Sequence, residues 1–425
     1  MKVSFTSISG ALPALQHRNF RLFWCGQMIS TTGTWMQNVA LGWLIYRITN
    51  SPFYLGLMMT MNSLPILMFS LFAGIIADRV DKRRLVIITQ SAFTVQAMLL
   101  AISVSTGYYN IWSLLAFTFA AGVIQAFDAP TRQSFVSEMV PKDHVLSAVA
   151  LNSAVFNAAR TIGPAIGGLL VKAIGESGCF YSNAVSFIAV IIGMLMMRDK
   201  ELFKAGNRTG QGHVKPKSEL KESFKYILGE KRILGVLSVL MVVSILGLPA
   251  MTFLPVFART VLHLQADGLG YLFAAAGVGS FIAAFSMAFA KKSRKQGLKI
   301  ILSISLFCVA MILFTFIKNF YISLPALAVA GFGAISGIAM VNSTIQLIAP
   351  AHLRGRVMSM YVFVFLGMMP FGNFIMGSVA HFIGAPHAVM YGGLACLAAL
   401  IFISISFPAI LKIDVPTETP IAAMV

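Results

Sequence analysis

The sequence predicts an all-α integral membrane protein, with twelve transmembrane helices in two pseudo-symmetric six-helix bundles. Three observations carry this expectation. Of the 425 residues, 58% are hydrophobic and only 11% are charged, with a mean hydropathy of +0.83, whereas a soluble domain carries roughly 25% charged residues. Apolar runs of about 20 residues, the length that crosses a bilayer as a helix, recur along the whole chain. Residues also recur at a fixed offset between the two halves. The runs hold Gly, Pro and Ser freely and lack the alternation of a barrel strand, so helices are the spanning element.

The spans run near 20–46, 53–77, 85–106, 111–134, 145–171, 178–197, 233–258, 268–290, 298–317, 320–347, 355–383 and 386–408. Only one long polar stretch interrupts them, Arg198 to Arg232, with ten basic residues. Gly206, Gly210, Gly212 and Pro216 make its first part flexible, and Ser218 to Tyr226 fits an amphipathic surface helix. The domains expected are therefore an N-terminal bundle over 1–200, a linker over 201–229 and a C-terminal bundle over 230–425.

Charge sets the orientation. If the N-terminus lies inside, 27 of the 32 Lys and Arg fall on cytoplasmic segments. Only Arg47, Lys172, Arg259 and Lys318 fall outside, and Arg160 lies within a span. Such a bias puts both termini in the cytoplasm. It also accounts for the net charge of +18, which on a soluble chain would suggest a nucleic-acid partner. The four cysteines (Cys25, Cys179, Cys308, Cys396) have no metal-ligand spacing. The first 16 residues lack a cleavable signal pattern, so the first span acts as its own insertion signal. No nucleotide-binding loop is present. No cofactor, metal or enzymatic activity is expected.

The halves read as copies in the same orientation. Gly122 and Gly331, Pro141 and Pro350, Gly168 and Gly377, and Gly175 and Gly384 are each 209 apart. Parallel repeats of this kind rock against each other about a central site.

The turn between spans two and three reads Gly74-Ile75-Ile76-Ala77-Asp78-Arg79-Val80-Asp81-Lys82-Arg83-Arg84. Basic residues alone would serve as a topology signal. Asp78 at a helix end adds an anion that favours the N-terminus of a neighbouring helix. The run resembles motif A of the major facilitator superfamily, matching at Gly74, Asp78, Arg79 and Arg83. Asp81 replaces the usual glycine and Lys82 an arginine. The resemblance implies a latch between the halves, with the eleventh helix as the neighbour.

Asp128, in Phe127-Asp128-Ala129-Pro130-Thr131-Arg132-Gln133, is an acid inside span four, which is costly unless paired. It pairs with Arg132 or Lys82 as part of the gate, or it carries a transported proton. The resemblance favours the gate.

Arg160 lies near the middle of span five, an expensive placement for a guanidinium. It faces a substrate, water or an acid, or it is satisfied by backbone carbonyls and Asn157. The position 209 further on is Met369, so the charge is no symmetric necessity. Gly163, Pro164, Gly167 and Gly168 resemble motif C, which marks the antiporter branch, with Ala150 and Ala159 in place of two glycines. The arginine of motif B is missing upstream of Gly122. Gln37, Asn38, Asn62, Asn157, Asn342 and Gln346 line the cavity or form helix–helix hydrogen bonds.

Over its full length the chain resembles the major facilitator superfamily. Thr34-Trp35-Met36-Gln37, Phe127 to Gln133 and Phe156 to Arg160 resemble the bacterial siderophore and drug efflux subfamily that includes the enterobactin exporter. The resemblance implies a monomeric secondary transporter of the bacterial inner membrane. It would export small amphiphiles, a siderophore or drug-like compound, by proton antiport, and an unpaired Arg160 in the cavity would repel lipophilic cations and so favour neutral or anionic ones. The alternatives are a broad multidrug antiporter and, more distantly, a nontransporting scaffold or sensor.

Overall fold

The computed structural model describes residues 12–203, 226–289, 295–350 and 353–414, without the side chains of Leu71, Asp78, Ala288 and Phe289. Most of the expected linker, and the amphipathic helix over 218–226 up to residue 225, lie outside the described residues.

Helices α1 (Arg18–Thr49), α2 (Pro52–Arg79), α3 (Lys82–Ser105) and α4 (Ile111–Val136) follow in order. A 51-residue helical stretch, Val145–Leu195, is broken at Gly175, where φ is 75° and ψ 174°. It forms α5 (145–174) and α6 (176–195). Helix α7 (Lys231–Val261) contains π turns at Val243–Gly247 and Phe257–Val261 and a 3-10 segment, Leu248–Phe253. Pro249 and Pro255 lie within it, and each removes a backbone donor from the helical ladder. Then come α8 (Ala266–Phe289), α9 (Gln296–Phe316), α10 (Phe320–Ile348), α11 (Arg354–Ile383) and α12 (Ala385–Ser406).

Among the described residues, ten helices are long and apolar enough to cross a membrane, one of them covering both α5 and α6. Dividing that one and adding the less apolar α1 gives twelve helices. No strand occurs among the described residues.

The repeat is visible in how the helices begin and end. Asn110 caps α4, accepting from the Ser113 amide at 2.9 Å, while the Ser113 hydroxyl returns a contact to the Asn110 amide. Its counterpart 209 residues on, Asn319, caps α10, accepting from the Tyr321 amide at 2.9 Å. Gly384 separates α11 from α12 with φ 82° and ψ 151°, close to the angles of Gly175. Glycine is required at both, because a Cβ clashes in this region of backbone space.

Contacts group the chain into two units. The first holds Met1–Leu44 and Leu64–Thr209, the second Ile45–Ser63 and Gly210–Val425. The ends of α1 and α2 that flank the Asn50 turn thus belong to the second unit.

In the first unit α1 is gripped by α5 and α6. A Cβ on Gly33 would lie 2.5 Å from Asn183 Oδ1, and one on Gly26 3.1 Å from Val190 Cα. Lipid is as apolar as a side chain, so burial alone does not drive helices together. Small residues that let backbones approach do. At the charged end, Phe20, Phe23, Phe135, Val190 and Met194 form a fully buried cluster.

In the second unit α8 and α9 both pack on α10. The α8–α10 contact is reciprocal: a Cβ on Gly279 would fall 1.7 Å from Ala328 O, and one on Gly331 1.9 Å from Ala276 O.

Candidate functional site

The charged turn between α2 and α3 is built by its own residues. The Asp81 carboxylate accepts from the Arg84 amide at 2.9 Å and so caps α3. Aspartate in the position of the usual glycine thus has a local purpose. Arg83 donates from Nε at 2.9 Å and Nη2 at 2.6 Å to Met194 O, and from Nη1 to Asp199 Oδ1 at 2.6 Å. It covers the last carbonyls of α6, where the helix dipole favours a cation. Lys82 forms an ion pair with Glu138, just beyond α4, not with Asp128. Arg79 is exposed. A Cβ on Gly74 would meet nothing within 4 Å. The side chain of Asp78 lies outside the described residues.

Asp128 sits one turn before Arg132 on α4 and is 1% exposed. Its Oδ1 accepts from Thr89 Oγ1 at 2.7 Å and Gln90 Nε2 at 2.9 Å, both on α3. Its Oδ2 lies 2.5 Å from Arg132 Nε, in a charge contact without the alignment of a hydrogen bond. Arg132 reaches on to the Gln27 side chain of α1. One carboxylate thus gathers three helices. The Gln27 Nε2 and Gln90 Oε1 atoms are buried without a partner. Such a network is costly when half satisfied and is easily rearranged.

Arg160 stands at the middle of α5, half-buried. It makes no hydrogen bond or ion pair with a described residue, and Asp128 is not its partner. Gly163 and Gly167 lie on the same helix, where a Cβ would meet Trp35 Cβ at 2.6 Å and Met36 O at 3.0 Å. These glycines seat α5 against α1 and hold Arg160 on a fixed backbone. Pro164 and Gly168 are buried in the same turn.

The polar candidates divide by environment. Gln37 is buried and accepts from Asn183 Nδ2 at 2.8 Å, which makes it an α1–α6 tie. Asn157 donates to Ser153 O at 2.9 Å along its own helix. In the second unit, Gln346 Nε2 donates to Asn342 Oδ1 at 2.6 Å. Asn38 and Asn62 are partly exposed. Among the described residues no group of three His, Cys, Asp or Glu could hold a metal ion.

Sequence reasoning missed a seam in the second unit. The α2 segment that belongs to this unit packs on α11 through glycines. A Cβ on Gly56 would lie 2.4 Å from Asn373 O and 2.7 Å from Gly377 Cα. Thr60 Oγ1 donates to Pro370 O at 3.1 Å, and Phe53 meets Phe374 edge-on with centroids 6.1 Å apart. Beside it Arg259 of α7 lies 6.0 Å over the ring of Tyr46, at the end of α1. Gly377 was legible only as a member of the repeat.

Against known proteins, residues 9–422 match the family model described as transmembrane secretion effector. The staphyloferrin A transporter of Staphylococcus aureus is 25% identical over 398 residues, covering 93% of this chain and 98% of that protein. The multidrug efflux pump Tap of Mycolicibacterium fortuitum is 27% identical over 398 residues, 88% of each chain. A POT family transporter solved in complex with 5-aminolevulinic acid superposes with a TM-score of 0.71 at 12% identity, covering 93% of this chain and 97% of that one.

Proposed function

The chain belongs to the transmembrane secretion effector family, within the major facilitator superfamily of multi-pass membrane transporters, and we propose that it exports small anionic or neutral amphiphiles of the siderophore or drug-like class. The observation that carries this reading is Arg160. A guanidinium at mid-span costs several kcal/mol unless something answers its charge. Arg160 has no acidic partner among the described residues, while Lys82 and Arg83 at the charged turn pair with Glu138 and Asp199. An anionic group on the cargo supplies the missing partner, and lipophilic cations are repelled. The staphyloferrin A transporter, similar over nearly its whole length, supports a siderophore.

The motion is alternating access by bundles over 1–200 and 230–425, joined by the linker over 201–229. On one side the Gly56–Gly377 seam would close the path. On the other, motif A (Gly74, Asp78, Arg79, Lys82, Arg83) with Asp128 and Arg132 would latch it. Protons are the driving ion in this reading. A proton on Asp128 weakens its hold on Arg132, which in turn reaches Gln27, so protonation and latch release become one event. The charge bias of loops supports an inner-membrane location with both termini in the cytoplasm.

The test uses inside-out vesicles with an acidic lumen, offered a carboxylate siderophore and, separately, a cationic dye. The siderophore is expected to enter. Arg160→Ala is expected to slow it by about ten- to a hundredfold, the range for losing one charged hydrogen bond. If Arg160→Ala leaves transport of every identified substrate intact, the anionic-cargo reading fails. Brisk uptake of the dye favours a broad multidrug antiporter instead, a reading supported by the likeness to Tap.

A further inference from the structure

The second unit carries a lateral groove that the transport reading does not use. Helices α8 and α9 both lie on α10, and a cavity of about 290 Å³ opens between them. Its floor is α10, through Phe332, Ser336 and Met340, spaced four apart on one helix face. Ser286 of α8 forms one wall. Lys299 and Ser303 of α9, also four apart, form the other.

The surroundings are those of a lipid-facing surface. On α9, Leu302, Leu306 and Leu313 are 58%, 39% and 57% exposed, and on α8, Phe281 and Phe285 are 64% and 59% exposed. These rows continue away from the groove on both walls. Lys299 is the fourth residue of α9, hence about one turn from the helix end, where a long cationic side chain reaches the interface. It has no ion pair among the described residues. An apolar slot with hydroxyls on its walls and a free ammonium at its mouth is complementary to a molecule with an apolar chain and an anionic head. Basic pockets between transmembrane helices bind anionic phospholipids in this way.

We propose that the α8–α9–α10 groove binds an anionic phospholipid, with the headgroup phosphate on Lys299 and an acyl chain over Phe332 and Met340. The proposal is independent of the cargo.

The experiment is native mass spectrometry of the full chain, released from mixed micelles of phosphatidylglycerol and phosphatidylcholine. Wild type is expected to retain one phosphatidylglycerol about fivefold in excess over phosphatidylcholine, the factor for one interfacial lysine. Lys299→Gln should abolish that excess, and Lys299→Arg should keep it. Ser286→Leu, which fills the wall without touching the charge, should reduce adducts of both lipids. An equal yield of the two lipids on wild type overturns the proposal. So does an excess that survives Lys299→Gln. Displacement of phosphatidylglycerol by a transported anion would also overturn it, by making the groove a cargo entry.

Discussion

Two contacts, one in each unit, achieve the same end by opposite means. Around Asp128, helices α1, α3 and α4 are joined by charge and hydrogen bonds, and two of the atoms involved are left without partners. At Gly56 and Gly377, α2 meets α11 with almost no polar chemistry and no space for a methyl group. The first contact depends on charge and hydrogen bonding at one buried carboxylate. The second is set by shape and responds only to displacement of a backbone.

The sharpest way to break this comparison is Asp128→Ala. It leaves Arg132 facing a buried, uncompensated site, and removing one member of a buried pair costs about 3–5 kcal/mol. Since Arg132 keeps 20% side-chain exposure, about 2–3 kcal/mol is expected. Thermal melting in detergent measures this, and a double-mutant cycle with Arg132→Ala should recover most of the loss. Additive losses would mean that the two residues do not act as a pair.

Gly56→Ala should come next, at about 1–2 kcal/mol from overpacking against backbone atoms that cannot yield. Its signature is specific: a cysteine placed at Thr60 should become more reactive to maleimide. Gly74→Ala is the matched control. With nothing within 4 Å of its Cβ, it should change stability by less than about 0.5 kcal/mol. If Gly56→Ala left Thr60→Cys protected, the seam would not be steric.

Lys82→Ala should cost about 0.5–1 kcal/mol, since its pair with Glu138 is partly exposed and screened by salt. Equal loss in Glu138→Ala and in the double variant would identify the pair. Loss in Lys82→Ala alone would assign the lysine another partner.

The smallest effect belongs to His17. Its Nε2 lies 2.9 Å from His144 Nδ1, and burial, then the neighbouring His144, hold its pKa below the ordinary 6.5. The folded state therefore prefers the neutral ring. Its contribution is full above about pH 6.5 and is lost as the pH falls through the depressed folded value. A melting curve that drops slightly more steeply below pH 6 in wild type than in His17→Gln checks the sign.

How much of this was legible follows from the physics of each residue. The helices, their approximate spans and the repeat came from hydrophobic length and from Gly and Pro spacing, which are local signals. Asp128 and Arg160 stood out because charge in hydrocarbon is rare, and Arg132 as a partner follows from one helical turn. Gln27 could not be singled out, since a neutral amide in an apolar run has many uses. Glu138 carries no sequence signal as the partner of Lys82, because the two lie 56 positions apart in sequence. The Gly56–Gly377 seam was invisible because a close approach between distant glycines leaves no periodic trace. Arg83 shows the converse: it matched a family motif, yet its described bonds all go to the end of α6 and the residues just beyond.

Gly175 and Gly384 have a mechanical consequence. At each, one helix passes into the next through a single residue whose angles only glycine adopts readily. A corner with no loop has no slack. The direction in which α6 leaves α5, and α12 leaves α11, is set by the two backbone angles of one glycine. Each repeat therefore carries one glycine elbow at the same place in its sequence.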